Sequence, residues 1–316
     1  MAVTGKRTLT IGTRASKLAL VQADIVRTSL LRLRPDLDIR VEHITTKGDV
    51  VQDRPLSEIG GNGLFITQIE EALRAGRIDL AAHSAKDLPS TLPPDMALPA
   101  FLPRADVRDV LISRDNAALA QLPAGARVGT SSPRRACQLS TMRPDLNLLD
   151  IRGNVDTRLR KLDEGQYDAI VLAAAGLERL GLLDRVTEWL DPQAFVPAVG
   201  QGALAIEVRA DDSYMIELAE RINDPDTSTA VRAERAFLAR LGGGCSLPVG
   251  AYATLAEGKL YITGLIGSVE AVEDTTIRGE YVGHPQSPEE AGVALAESLL
   301  ARGGLEVVEA SEVGTL

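Results

Sequence analysis

The chain has 316 residues, 45% hydrophobic and 25% charged, which supports two or three domains with their own cores and excludes a disordered or fibrous chain. Its 34 basic and 44 acidic residues leave a net charge of −10, which argues against nucleic acid as the main partner because phosphate backbones select basic surfaces. With only 3% aromatic residues the cores rest on Leu, Ile, Val and Ala, a composition suited to layered helix and sheet packing.

The N-terminal stretch MAVTGKRTLTIGTR lacks the apolar centre of a signal peptide, and the run from Ala169 to Leu177 is too short for a membrane span. A cytoplasmic location without membrane contact is the expectation. Two cysteines, Cys137 and Cys245, make no disulfide framework, and His43, His83 and His284 are scattered, so no metal is expected.

In chain order, short apolar runs alternate with helical patterns. TLTIG precedes SKLALVQADIVRTSLLRL, IRVEHITT precedes LFITQIEEALRAG, and IDLAAHS follows. RVGTS then precedes PRRACQLSTMR, LNLLDIRG precedes VDTRLRKLDEG, and YDAIVLAAAG precedes LERLG. Strands interleaved with helices of this length predict βαβ units and largely parallel sheets. The proline-rich passage from Leu88 to Asp109 reads as a first hinge region, and VPAVGQGALAIEVR (Val196 to Arg209) as a return to the first domain.

After Arg221 the pattern changes. NDPDTST opens an amphipathic helix, AVRAERAFLARL; strands AYATL and KLYITGLIG flank an AEGK turn; a strand near TIRGEYVG and a helix at SPEEAGVALAESLLARGG follow. This predicts a small α+β domain with an antiparallel sheet. The expected division is residues 1–102 with 200–220 as α/β domain 1, 103–199 as α/β domain 2 and 221–316 as α+β domain 3.

Basic residues gather at strand-to-helix turns, where open α/β sheets bind ligands. In VGTSSPRRACQL, Ser132 is the expected N-cap and Pro133 the first helical residue, which puts Arg134 and Arg135 at the positive end of the helix dipole. Either both splay into solvent or a carboxylate or phosphate lies between them. Arg152 and Arg158 in DIRGNVDTRLRKL, and Arg14 and Ser16 in IGTRASKLAL, occupy two more such turns. Three turns together point to a convergent anion site, and guanidinium suits planar carboxylates. Asp87 in HSAKD stands among these cations, either steadying a developing positive charge or simply salt-bridged to Lys86 or an arginine. GGNGLF, from Gly60 to Phe65, fits neither a dinucleotide fingerprint nor a Walker motif. Cys245 in RLGGGCSLPVG follows three glycines; it is either a small buried residue or a thiol brought close to a ligand on a bare backbone.

Nine colinear stretches, TRASKLAL, TKGD, GGNGLF, HSAKDLP, VGTSSPRRACQL, RGNVDTRL, LAAAGLERLGL, PAVGQGAL and ERAFLARLGGGCSLPVG, resemble the porphobilinogen deaminase (hydroxymethylbilane synthase) family over nearly the whole chain. The resemblance implies two periplasmic-binding-protein-like α/β domains around a cleft and a third, α+β domain. It also implies a monomer that condenses four porphobilinogen molecules head to tail, releasing ammonia, into 1-hydroxymethylbilane. Cys245 then matches the attachment point of a covalent dipyrromethane cofactor. Arg14, Ser16, Lys86, Thr130, Ser131, Ser132, Arg134, Arg135, Arg152 and Arg158 match positions that hold cofactor and substrate, and Asp87 the carboxylate that stabilises cationic pyrrole nitrogens. Glu58 and Asn62 stand where many relatives carry lysines, and Leu247 where a smaller or β-branched residue is expected. A cleft-type binding protein that holds a polycarboxylate without turnover is the competing reading; Cys245 and Asp87 distinguish the two. A transferase using Cys245 as a transient nucleophile would need a nearby base, and the sequence places no histidine near it.

Overall fold

The computed structural model describes residues 7–46, 66–242, 247–268, 276–304 and 307. The chain begins with β1 (Thr8–Thr13), α1 (Lys17–Leu33), β2 (Asp38–His43), α2 (Thr67–Arg74), β3 (Leu80–Ser84) and β4 (Met96–Phe101). It then forms β5 (Asp109–Ser113), β6 (Arg127–Gly129), α3 (Pro133–Met142), β7 (Asn147–Leu149), α4 (Val155–Asp163), β8 (Ala169–Ala173), α5 (Ala174–Leu180) and β9 (Glu188–Trp189). It returns through β10 (Leu204–Arg209) and α6 (Ser213–Glu220), and continues as α7 (Pro225–Arg240), β11 (Val249–Ala256), β12 (Lys259–Gly267), β13 (Thr276–Gly283) and α8 (Pro288–Leu299).

Two five-stranded mixed sheets result, ordered β2-β1-β3-β10-β4 and β7-β6-β8-β5-β9. They share one plan. Each has three parallel strands at one side, and its fourth strand, β10 or β5, runs antiparallel to its neighbours. In each sheet that antiparallel strand is the one entered straight from the other α/β unit. Central strands such as β8 (AIVLA) are buried over nearly their whole length, as expected where helices cover both faces. Helix α1 starts at Ser16, whose Oγ accepts the Ala19 N–H at 3.3 Å, and it lays Ala23, Val26 and Leu30 on the first sheet at helical spacing.

The proline-rich passage holds more structure than its composition predicts. Residues Met96–Phe101 form β4, at the edge of the first sheet. Pro99 has no N–H, and an edge strand needs none on its open side. The chain then crosses to the second unit through residues 102–108 and back through 196–203. These crossings touch: the Ala105 N–H donates to Gly202 O at 3.2 Å, and Gln201 Nε2 donates to Val107 O at 2.7 Å. Gly202 has φ +87°, and a Cβ there would stand 2.5 Å from Ala105 O.

The third unit is the antiparallel sheet β11-β12-β13 with α7 and α8 against it. Glu257 and Gly258, both with positive φ, form the β11–β12 hairpin turn. Phe237, Ile262, Ile266 and Leu295 are buried between helices and sheet.

Candidate functional site: a cationic cleft between two α/β units

The carboxyl ends of the parallel strands converge on the gap between the first two units. β3 runs into a 3₁₀ turn, Ala85–Asp87; β1 leads into α1, β6 into α3 and β7 toward α4. Three contiguous cavities lie there. One of about 240 Å³ is lined by Lys86, Asp87, Ser131, Ser132, Arg134 and Arg135, with Leu238, Leu247 and Val249 supplied by the third unit. A second, about 190 Å³, is lined by Arg14, Ser16, Lys86, Arg135, Arg158 and Arg179 among others. A third, about 60 Å³, has Arg14, Ser16, His83 and Asp87 in its wall. Lys86 and Arg135 line both larger cavities and Asp87 joins the first to the third, so the three are compartments of one cleft.

Arg134 and Arg135 neither splay outward nor wait for an external anion alone. Both are buried, at 4% and 6% exposure, and share the fully buried Asp109 at the start of β5. Arg134 Nη1 donates to Asp109 Oδ2 at 2.7 Å, and Arg135 Nη2 and Nε donate to Oδ1 at 2.7 and 3.0 Å. Burial alone would raise the Asp109 carboxyl, but the two guanidiniums outweigh it and hold it at about 2. Two cations on one carboxylate still leave a positive charge facing the cleft, and Arg134 Nε is buried without a partner among the described residues. The sequence reading expected a negative partner for this pair; the protein supplies half of it.

The other cations are short of counter-charge too. Burial lowers Lys86, Arg135 adds to that, and Asp87 opposes it, leaving the ammonium at about 8. Arg158 is drawn down to about 10, first by burial and then by Arg135. Arg152 is half-buried, and its Nη1 has no partner among the described residues. Asp87 is exposed and forms no salt bridge among the described residues, so the ion-pair alternative does not hold it.

The hydroxyls divide. Ser132 occupies the position before α3, but its side chain makes no capping bond. Ser131 Oγ accepts the Ile151 N–H at 3.1 Å and donates to Ile151 O at 2.5 Å, tying the end of β6 to the segment after β7. Thr130 is buried, its Oγ1 accepting the Ser132 N–H at 3.2 Å. Thr130 and Arg152 are absent from the walls of the three cavities. Cys245, Glu58, Asn62 and the GGNGLF stretch lie outside the described residues. Leu247, two positions after Cys245, lines the largest compartment with 9% exposure.

Three cleft residues escaped the sequence reading. Gln22 is 4% exposed, donates from Nε2 to Ser84 Oγ at 2.8 Å and lines two compartments. A glutamine within the apolar stripe of α1 was the available signal. Gln201, wholly buried, donates to Asp109 Oδ1 at 3.1 Å, and Arg179 Nη2 donates to Gly202 O at 2.6 Å; both depend on contacts between distant segments.

Comparison with known proteins bears on the same residues. The family model "Porphobilinogen deaminase, dipyromethane cofactor binding domain" matches residues 9–217, and "Porphobilinogen deaminase, C-terminal domain" matches residues 228–301. The chain is 58% identical over 299 residues to the porphobilinogen deaminase of Roseiflexus castenholzii, covering 95% of this chain and 98% of that one. It is 50% identical to that of Syntrophotalea carbinolica over 305 residues, covering 96% of each. The protein of that name from Syntrophobacter fumaroxidans is 45% identical over 303 residues, covering 96% of this chain and 97% of that one. Among solved structures, the periplasmic aliphatic sulphonate binding protein SsuA from Escherichia coli aligns with a TM-score of 0.40 at 15% identity, over 74% of this chain and 75% of that one. With both models matched in order and such identity sustained from end to end, the chain belongs to the porphobilinogen deaminase family.

Proposed function

We propose that this chain is a porphobilinogen deaminase that joins four porphobilinogen molecules head to tail, releasing one ammonia at each addition, to give 1-hydroxymethylbilane, primed by a dipyrromethane carried on Cys245. The observation that carries the reading is the set of cationic side chains lining the cleft, among them the buried Arg134 with its unpartnered Nε, beside Leu247 of the third unit. That donor set fits pyrroles bearing acetate and propionate. When bound, the dipyrromethane supplies the pyrrole end to which units are added.

The chain's own residues do the rest. Arg14, Arg134, Arg135, Arg152, Arg158 and Lys86 hold carboxylates, with Ser16, Ser131, Ser132 and Thr130 shaping the turns that aim them. Each charge-assisted bond contributes roughly 1.5–3 kcal/mol. Asp87, free of a salt bridge among the described residues, accepts pyrrole N–H bonds and places negative potential where positive charge develops. Leu238, Leu247 and Val249 close the cleft floor with apolar surface, which excludes water and strengthens these interactions.

The division into residues 1–102 with 200–220, 103–199 and 221–316 belongs to the same proposal, as does a monomer acting in the cytoplasm. Among the described residues no helix is long and apolar enough to cross a membrane. The deciding measurement is intact mass with a pyrrole-specific colour reaction: wild type carries an adduct of dipyrromethane size and Cys245→Ser carries none. A bare wild-type protein that binds polycarboxylates without product would establish the binding-protein reading instead.

A further inference from the structure

His83 forms part of the wall of the small compartment beside Asp87. It stands on β3 with 6% exposure, and its Nε2 lies 2.9 Å from Oε2 of Glu207, a wholly buried residue on the adjacent antiparallel strand β10. Where Glu207 is ionised its carboxylate can only accept, which puts the ring hydrogen on Nε2 and leaves Nδ1 as the ring's acceptor. That space, about 60 Å³, has His83 and Asp87 both in its wall and room for one or a few waters. The other oxygen of Glu207, Oε1, is buried without a partner among the described residues. A dangling carboxylate oxygen in a core is costly, and the cost falls when the imidazole beside it takes up a proton and the two become an ion pair.

We propose that Glu207 holds His83 as the proton acceptor of the Asp87 compartment, taking up on Nδ1, through one water, the proton released at each addition. The inference rests on the activity proposed above. In one addition the C–N bond of the incoming ammonium breaks and its electron pair leaves on nitrogen as ammonia. A C–C bond forms, and the C–H bond at the joined carbon breaks with its pair kept in the ring. One proton is left over; it moves through water to Nδ1, and ammonia then carries it away as ammonium. If Asp87 kept that proton, it would lose the negative charge its role requires. A second base in the wall of the same compartment leaves Asp87 ionised for the next addition.

His83 touches Glu207 on β10 and shares its compartment with Asp87 after β3 and Arg14 after β1, while Glu70 on α2 and Arg235 on α7 feel the charge of Glu207. Burial and then the charge of Glu207 raise the Glu70 carboxyl, and the same charge opposes the burial that lowers Arg235. Glu207 therefore acts electrostatically on its surroundings as well as on the ring it touches.

The test uses holoenzyme. His83→Gln keeps an amide donor for Glu207 but cannot hold a proton, and Glu207→Gln keeps the shape but removes the charge. Both are expected to carry the cofactor adduct by mass. In His83→Gln, kcat falls about 100-fold with KM little changed, and the acid limb of the kcat–pH profile disappears. Imidazole ¹⁵N NMR of the wild type should show hydrogen on Nε2 and a bare Nδ1, and Glu207→Gln should move that tautomer balance toward hydrogen on Nδ1. Unchanged kcat and acid limb in His83→Gln, or a ring with its hydrogen on Nδ1, overturns the inference. Should His83→Gln not fold, Glu207→Gln and the NMR readings decide it. Absence of adduct and product in the wild type would sink the activity reading, while the ring's tautomer and its response to Glu207→Gln would still judge the His83–Glu207 pair.

Discussion

Arg104 and Glu234 face each other through two hydrogen bonds, Nη1 to Oε1 at 2.6 Å and Nη2 to Oε2 at 3.0 Å, with Glu234 wholly out of solvent. Arg104 belongs to the first crossing between the α/β units and Glu234 to α7. The same carboxylate accepts the Gly200 N–H of the return crossing at 2.7 Å and the Ala253 N–H of β11 at 2.8 Å. One side chain thus fastens the third unit to both crossings. Glu234→Ala strands a buried guanidinium and two backbone donors, and should cost about 3–5 kcal/mol in urea unfolding. A loss below about 1 kcal/mol would show that the contacts are easily replaced.

Asp109→Asn removes the carboxylate shared by Arg134 and Arg135 and should destabilise by a similar amount, about 3–5 kcal/mol. The wild type carries the related pH signature. The folded-state value of about 2 lies below the usual aspartate value of about 3.9, so this contribution is fully present above about pH 4 and is lost as pH falls through about 2. It amounts to roughly 2–3 kcal/mol. Acid unfolding curves of wild type and Asp109→Asn should converge across that window; parallel curves would contradict the assignment.

Lys86 titrates at the other end of the range. Its ammonium is charged below about pH 8 and lost above it, so the grip on carboxylates weakens as pH rises through 8. KM for porphobilinogen should climb severalfold between pH 7 and 9.5, and Lys86→Arg, charged throughout, should flatten that climb. Stability without ligand runs the opposite way. The folded-state value lies below the usual lysine value of about 10.4, so the cost of the buried charge is present below pH 8 and stability increases from about 8 to 10.4.

Asp87→Asn tests the carboxylate itself. Asp87 is exposed and has no salt bridge among the described residues, so the variant should unfold within about 0.5 kcal/mol of wild type. Chain extension should be lost while the cofactor adduct stays visible by mass. Near-normal turnover would remove Asp87 from the chemistry.

Gly200 links the return crossing to that turn. Its φ is +71°, and a Cβ there would lie 3.0 Å from Ala85 Cβ and 3.2 Å from Lys86 N. Gly200→Ala should cost about 1–3 kcal/mol and lower kcat/KM by displacing Lys86 and Asp87. A variant of unchanged stability and activity would show that the turn yields.

The alternation of strand and helix is legible because turn residues and apolar runs are local signals, and that is why Arg14, Ser16, Asp87, Arg134 and Arg135 can be named from the ends of strands, whereas Lys86 enters the set through the family resemblance alone. Asp109 cannot be so named, since it lies 25 residues from Arg134 and only the pairing of β5 with β8 brings it under α3. β4 hid behind its prolines because edge position is a property of the whole sheet. Gln22 and Gln201 are polar groups satisfied across the fold, which no spacing rule announces. The family resemblance implies ligand contacts for the Ser131 and Thr130 hydroxyls; Thr130 Oγ1 accepts the Ser132 N–H within its own turn, and Ser131 Oγ bonds the Ile151 backbone after β7, a pairing that no local signal announces.

The close passage of Gly202 past Ala105 has a mechanical result. Two crossing segments that nearly touch are hindered from sliding or swivelling separately, so any opening of the α/β units turns about a single spine, as the covers of a book do. Glu234 binds α7 to that spine, and the third unit also leans on both covers, through Arg235 Nη2 donating to Pro89 O at 2.8 Å on one side and Leu265 packed with Cys137 and Val196 on the other. Leu247 and Val249 of the third unit then border a gap whose width that spine governs, which is what a site must offer when its occupant gains a ring at every turn of the cycle.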